Sequence, residues 1–268
     1  MISSQVVQTI LATKGIADSP FIVMIHKTKG IVLRSVKYGE TSLVVTVFTE
    51  LLGLQSYLVN GVRTVSKKGS TKAALFQPAA ILDLVAYHND FKNLQRLKEF
   101  KWEYLYQHIF SDVRKNAVAL FMVELLTKCL KQPEANADLF YFTEDAFHHL
   151  DTANETVTAN FPLFFALHLA VFFGFRISDE YSETKHFLDL QEGSFTPDQP
   201  KHPHYMQDRE AAAVSHILKI MQPAELEQVA LNQETRRRIT HALEEYYNLH
   251  VPDFGTMRTL PVLREVMS

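Results

Sequence analysis

The feature that most constrains this chain is a series of five short runs between Lys29 and Trp102 in which β-branched and aromatic residues recur with the two-residue period of a strand. The runs are Lys29 to Val36, Ser42 to Thr49, Leu54 to Val62, Ala79 to Tyr87 and Leu94 to Trp102. In the second, Leu43, Val45 and Val47 share one face, while Val44, Thr46 and Phe48 share the other. Gly39 and Gly53 fall between runs, where a turn needs a residue that tolerates positive φ. Short strands joined by tight turns predict a small closed barrel, and five of them suit an OB-fold.

Beyond Tyr104 the periodicity becomes helical. Apolar residues such as Val113, Ala117, Leu120, Phe121 and Leu125 cover most of a helix expected over Asp112 to Leu130. Further helices are expected at Ala137 to Leu150, Pro162 to Phe173, Asp208 to Met221, Gln233 to Leu249 and Leu260 to Val266, with Asn160, Asp208 and Asn232 as amino-terminal caps. Tyr181 to Tyr205 contains Gly193, Pro197, Pro200 and Pro203 and reads as an irregular excursion with one hairpin at Phe187 to Phe195. The expected organisation is thus a multidomain β + α chain: a five-stranded OB-fold barrel over residues 24–104 followed by an all-helical carboxy-terminal domain over residues 105–268.

Residues 1–23 carry one lysine, no basic leader and no long apolar core, so they do not read as a signal peptide. They are expected to be a poorly ordered extension or the product of an upstream start site, with Met24 just before the first strand. The most apolar stretch, Phe161 to Phe175, spans 15 residues and is interrupted by Pro162, His168 and Gly174. That is short of the roughly 20 residues a bilayer requires, so a buried helix is expected and no membrane partner.

The formal net charge of -3 hides an asymmetry. Residues 24–104 hold 12 Lys+Arg against 6 Asp+Glu, a net of +6, whereas residues 105–268 hold 14 against 23, a net of -9. Such a split assigns one surface to an anionic partner and the other to something else. Cations that neutralise phosphates and flat side chains that stack on bases are what an OB-fold brings to nucleic acid. The candidate DNA-binding residues are Lys29, Arg34, Lys37, Arg63, Lys67, Lys68, Lys72 and Arg96, with Lys92, Lys98 and Lys101 as further phosphate contacts. Tyr38, Tyr57, Tyr87, Phe91 and Trp102 are the candidate stacking residues. For any one of them the plainer reading is a solubilising lysine or a core aromatic. Residues 63–78 are expected to form a long, mobile cationic loop.

Other chemistry finds little support. Arg236-Arg237-Arg238 lies near a helix start, where cations oppose the macrodipole, which points to an external anion or to pairing with Glu234 or Glu244. Cys129 is the only cysteine, so there is no intrachain disulfide and no cysteine metal cluster, and on an apolar helix a thiol is inert. His186, His202 and His204 lack thiolate partners, and His148-His149 splay apart on a helix. No nucleophile elbow, Walker loop or zincin motif is present, and Glu40, Glu50 and Asp83 have no reason to converge. No catalytic residue, metal or cofactor is expected.

Tyr38-Gly39-Glu40-Thr41-Ser42-Leu43, Val47-Phe48-Thr49-Glu50 with Gly53, Gly61-Val62-Arg63 and Leu75-Phe76-Gln77-Pro78 resemble the amino-terminal domain of the RecO family of bacterial recombination mediators. The resemblance covers Lys27 to Pro78 well and the helical remainder loosely, by element order. It implies an OB-fold followed by a helical domain, in a non-enzymatic protein of the RecF repair pathway. Proteins of this family bind single- and double-stranded DNA, anneal complementary strands, contact RecR and single-stranded-DNA-binding protein, and help load RecA. The resemblance also implies a bacterial cytoplasmic protein, nucleoid-associated during repair. Some members carry a four-cysteine zinc cluster, and this chain departs from that pattern. An RNA-binding OB protein and a peptide-binding scaffold remain as alternatives.

Overall fold

The computed structural model describes residues 24–64 and 72–267. Residues 1–23, and Lys67 and Lys68 of the cationic loop, lie outside the described residues. The chain divides into two compact units, one running to Leu105 and including Gln132–Tyr141, the other comprising Tyr106–Lys131 and Phe142–Ser268.

The first unit is a closed five-stranded barrel of β1 (Met24–Tyr38), β2 (Ser42–Thr49), β3 (Gly53–Val59), β4 (Ile81–His88) and β5 (Gln95–Trp102), in the order β1-β2-β3-β5-β4. All pairs are antiparallel except β3 with β5. The long β1 closes the barrel by serving two neighbours: Met24 to Ile31 pair with β4, and Gly30 to Tyr38 pair with β2. At the crossing Gly30 leaves no room for a side chain, since a Cβ there would stand 2.5 Å from Val47 Cγ1 and 2.8 Å from Leu84 Cδ1. A bulge between Val32 and Arg34 bends the strand onto its second partner. Leu43, Val45 and Val47 point inward with Val32, Tyr57, Val59, Leu82 and Leu84, so the alternation read in the second run is the real one. Gly39 and Gly53 both have positive φ, as their turns require. The segment 132–141 packs on the barrel, with Leu54 N–H donating to Pro133 O at 3.2 Å and the Phe140 ring 5.7 Å from Phe48.

The second unit contains α1 (Val113–Cys129), most of α2 (Ala137–Thr152), α3 (Glu155–Phe172), α4 (Asp208–Leu218), α5 (Gln233–His250) and α6 (Thr259–Val266). It also carries a small sheet of β6 (Phe187–Asp189), β7 (Ser194–Thr196) and β8 (Tyr205–Met206), in the order β7-β6-β8. The hairpin expected at Phe187 to Phe195 is present, and β8 adds a third strand. Asp112 caps α1 through Arg114 and Lys115 N–H, and Asn232 caps α5 through Thr235 N–H.

Two cap assignments are corrected. Asn154, not Asn160, caps α3 by accepting from Val157 N–H, so the helix begins seven residues before Pro162 and carries that proline inside it. Asn160 is wholly buried, and its amide donates to Leu226 O at 3.2 Å and Val229 O at 2.9 Å. Asp208 is the first residue of α4, with Gln207 at the cap position. The full α3 is 18 residues, long and apolar enough by composition to cross a membrane, yet two-thirds of it is buried inside the protein. Asp151, also buried, accepts from the backbone N–H groups of Gln107, His108 and Ile109 at 2.8, 2.8 and 2.9 Å, fixing the segment that leads into α1.

Candidate nucleic-acid interface

Register across the barrel places its charged residues in rows. Lys29, Asp83 and Lys101 face one another on β1, β4 and β5, and Lys101 Nζ lies 3.0 Å from Asp83 Oδ2. The hydrogen bond that the Lys101 ammonium donates to Asp83 holds its pKa above the ordinary lysine value, so this cation is already partly neutralised. Lys29 extends over the Tyr141 ring at 5.8 Å.

Three adjoining depressions run along β5. One of about 690 Å³ is lined by Lys27, Lys72, Lys98 and Lys101 with Leu75, Phe100 and Trp102. The next shares Lys72, Lys98 and Phe100 with it and adds Leu58, Arg96 and residues Asn60, Gly61 and Val62. A third shares Leu58 and Arg96 and reaches Tyr87, His88 and Lys92 at the β4–β5 turn. Together they collect Lys27, Lys72, Lys92, Arg96, Lys98 and Lys101 against Asp83 and Glu99. Arg96, Lys92 and Lys27 make no ion pair with another described residue. Lys72 Nζ sits 5.9 Å from the Phe100 ring centroid.

Of the residues predicted from sequence, Lys72, Lys92, Arg96, Lys98 and Lys101 line this belt. Arg34 and Lys37 do not: they are exposed on the β1–β2 hairpin with Tyr38. Arg63 staples that hairpin, its N–H donating to Thr41 O and its Nη1 to Gly39 O, both at 2.9 Å. Thr64 and Lys72, which flank the cationic loop, both line the middle depression. Tyr57 is corrected: it is wholly buried in the barrel core, where burial raises its hydroxyl pKa, and cannot stack on a base. Tyr38 and Phe91 are exposed, whereas Tyr87 and Trp102 are half-buried. Lys27 escaped the sequence reading because β1 starts at Met24 rather than Lys29; its same-face spacing from Lys29 was the available signal.

The remaining candidates find ordinary partners. Glu50 accepts a hydrogen bond from Tyr141 Oη, and Asp83 pairs with Lys101. His202 Nε2 lies 3.2 Å from Asp189 Oδ2, His204 pairs with Glu245, and no three His, Cys, Asp or Glu side chains among the described residues gather as a metal requires. Cys129 is buried, and that burial pushes its thiol up to about 12. In the arginine run, Arg238 pairs with Glu234 at 3.0 Å and Glu210 at 3.3 Å. Arg236 and Arg237 instead line a pocket in the second unit with Pro162, Leu263, Arg264 and Met267. Arg264 Nε is buried there without a hydrogen-bond partner among the described residues.

A family model described as "Recombination protein O N terminal" matches residues 24–106, and one described as "Recombination protein O C terminal" matches residues 110–258. The DNA repair protein RecO of Bacteroides fragilis is 35% identical over 245 residues, covering 91% of this chain and 99% of that protein. Those of Phocaeicola vulgatus and Christiangramia forsetii are 30% and 32% identical, covering 91% of this chain and 100% and 99% of theirs. With a five-stranded barrel leading into a helical unit, and with both family models matched in that order, this chain belongs to the RecO family of DNA repair proteins.

Proposed function

We propose that this protein is a recombination mediator that binds single- and double-stranded DNA along the β5 belt and anneals complementary strands. In the same reading it works with RecR to help load RecA on DNA coated by single-stranded-DNA-binding protein. The observation that carries this reading is the belt itself: six cations against two carboxylates in adjoining depressions of a barrel whose chain segment has a net charge of +6. Backbone phosphates of two strands held there are screened from each other, and their base edges stay available for pairing. No bond is made or broken, so the reading requires no catalytic residue. Lys67 and Lys68 belong to it through the loop whose flanks reach the middle depression.

The net -9 of residues 105–268 disfavours DNA over most of that part and favours a protein partner. Within it, the Arg236, Arg237 and Arg264 pocket joins cations to apolar walls from Pro162, Leu263 and Met267. That chemistry suits the acidic, apolar tail of single-stranded-DNA-binding protein, and we assign the tail contact to this pocket. The test is annealing of complementary strands already coated with that protein. Acceleration by the wild type that fades with salt, and is lost in Arg237→Glu on coated but not on naked strands, supports both assignments. No acceleration on naked or coated strands by the folded protein overturns the mediator reading.

A further inference from the structure

One aromatic ring of the barrel stands almost wholly in water. Phe91 is 86% exposed at the tip of the turn between β4 and β5. An exposed ring on a slack loop would signify little, but this turn is braced from within. Asn89 and Gln95 are buried beneath it and bond each other twice, Gln95 Oε1 accepting from Asn89 N–H at 3.1 Å and Gln95 Nε2 donating to Asn89 O at 2.9 Å. Gln95 Nε2 also donates to Lys92 O at 2.6 Å, and Asn89 Oδ1 accepts the N–H of Phe91 itself at 2.9 Å. The ring is therefore presented by a preorganised backbone, which removes much of the ordering entropy that binding would otherwise cost.

The surroundings define the ligand. Lys92 and Arg96 flank the turn, exposed and without an ion pair to another described residue. Asp90, the carboxylate next to Phe91 in sequence, is engaged by His88 Nε2 at 2.9 Å. A flat apolar face beside two available cations matches a nucleobase with phosphates on either side. An apolar protein surface would match the ring but leave both cations to be desolvated without a partner. We propose that Phe91 is a stacking platform for one unpaired base of a single strand, with Lys92 and Arg96 holding the adjacent phosphates. The proposal rests on the DNA-binding reading of the barrel and adds a discrimination that charge alone does not supply. In a duplex every base face is covered by its neighbours, so only a single strand or an opened junction offers one to the ring.

The experiment uses the full chain, oligothymidylates carrying 2-aminopurine at successive positions, and a duplex of equal length. The wild type is expected to quench the fluorescent base at one register. Phe91→Ala, which removes no core contact, is expected to abolish that quench and weaken single-strand affinity roughly tenfold, the effect of one lost base–aromatic stack. Duplex affinity is expected to hold. Phe91→Leu, apolar without a π face, is expected to behave like alanine, and Phe91→Trp like the wild type. Retained quench and affinity in the alanine and leucine variants overturn the platform. Salt-dependent binding by the wild type without any quench overturns it while leaving the DNA-binding reading intact, and absence of any DNA binding overturns both. Altered self-association of Phe91→Ala in sedimentation, with oligonucleotide signals unchanged, assigns the ring to a protein contact and also overturns the proposal.

Discussion

Asn89 and Gln95 are both buried at the base of the β4–β5 turn, and the backbone N–H and C=O of Asn89 are both bonded to the side-chain amide of Gln95. Buried backbone groups left without partners are costly, so Gln95 is the residue that makes a compact β4–β5 turn possible. Gln95→Leu keeps the volume and orphans Asn89 N–H, Asn89 O and Lys92 O. The expected cost is roughly 1–3 kcal/mol in urea unfolding of the barrel, with faster amide exchange confined to residues 88–95. An unchanged midpoint would show that water replaces the glutamine without loss.

Gly53 and Gly39 share a positive φ but differ in their surroundings. A Cβ on Gly53 would lie 2.0 Å from Pro133 O and 2.4 Å from Glu134 O, whereas one on Gly39 would meet nothing within 4 Å. Gly39→Ala is expected to lower stability by about 1 kcal/mol, the left-handed conformational cost alone. Gly53→Ala adds a clash with backbone that cannot turn aside and is expected to cost clearly more. Equal melting temperatures for the two variants would contradict the packing of residues 132–141 on the barrel.

Asp151 contributes a pH dependence to the stability of the helical unit. Burial alone would raise its pKa, but the N–H groups of Gln107, His108 and Ile109 outweigh burial and hold the carboxyl below the ordinary aspartate value. A carboxyl whose folded pKa is depressed contributes stability that is complete above its unfolded pKa, about 4, and is lost as pH falls through the lower folded value. Asp151→Asn is therefore expected to destabilise the protein at neutral pH by roughly 1–3 kcal/mol and to flatten the acid limb of its stability profile below about pH 4. Parallel acid limbs for variant and wild type would show that the three hydrogen bonds do not favour the ionised form.

Much of this architecture was legible in the residues. The parity of Leu43, Val45 and Val47, the turn glycines and the helical period of α1 are local signals, and each describes the real element. The charge asymmetry likewise needed only counting. Signals that depend on distant partners were not legible. Asn160 two residues before Pro162 looked like a cap, but carbonyls of Leu226 and Val229 draw its side chain into the core and the helix runs through the proline. Tyr57 was a candidate stacking residue, yet barrel closure buries it, and closure is set by pairing between strands remote in sequence. The division of the cations into a belt and a hairpin group follows from register, which the hydrophobic pattern alone does not fix at strand ends.

If phosphates sit on the β5 belt, an Arg96→Glu, Lys98→Glu double variant changes the salt dependence of single-strand binding. Lys185→Glu, Lys219→Glu in the helical unit makes the same change in net charge and is the control. Each lost phosphate contact is expected to flatten the log–log slope by roughly 0.7, so the belt variant loses about 1.4 while the control keeps the wild-type slope. A belt variant with the wild-type slope, or an equal loss in both variants, would contradict DNA binding at this surface.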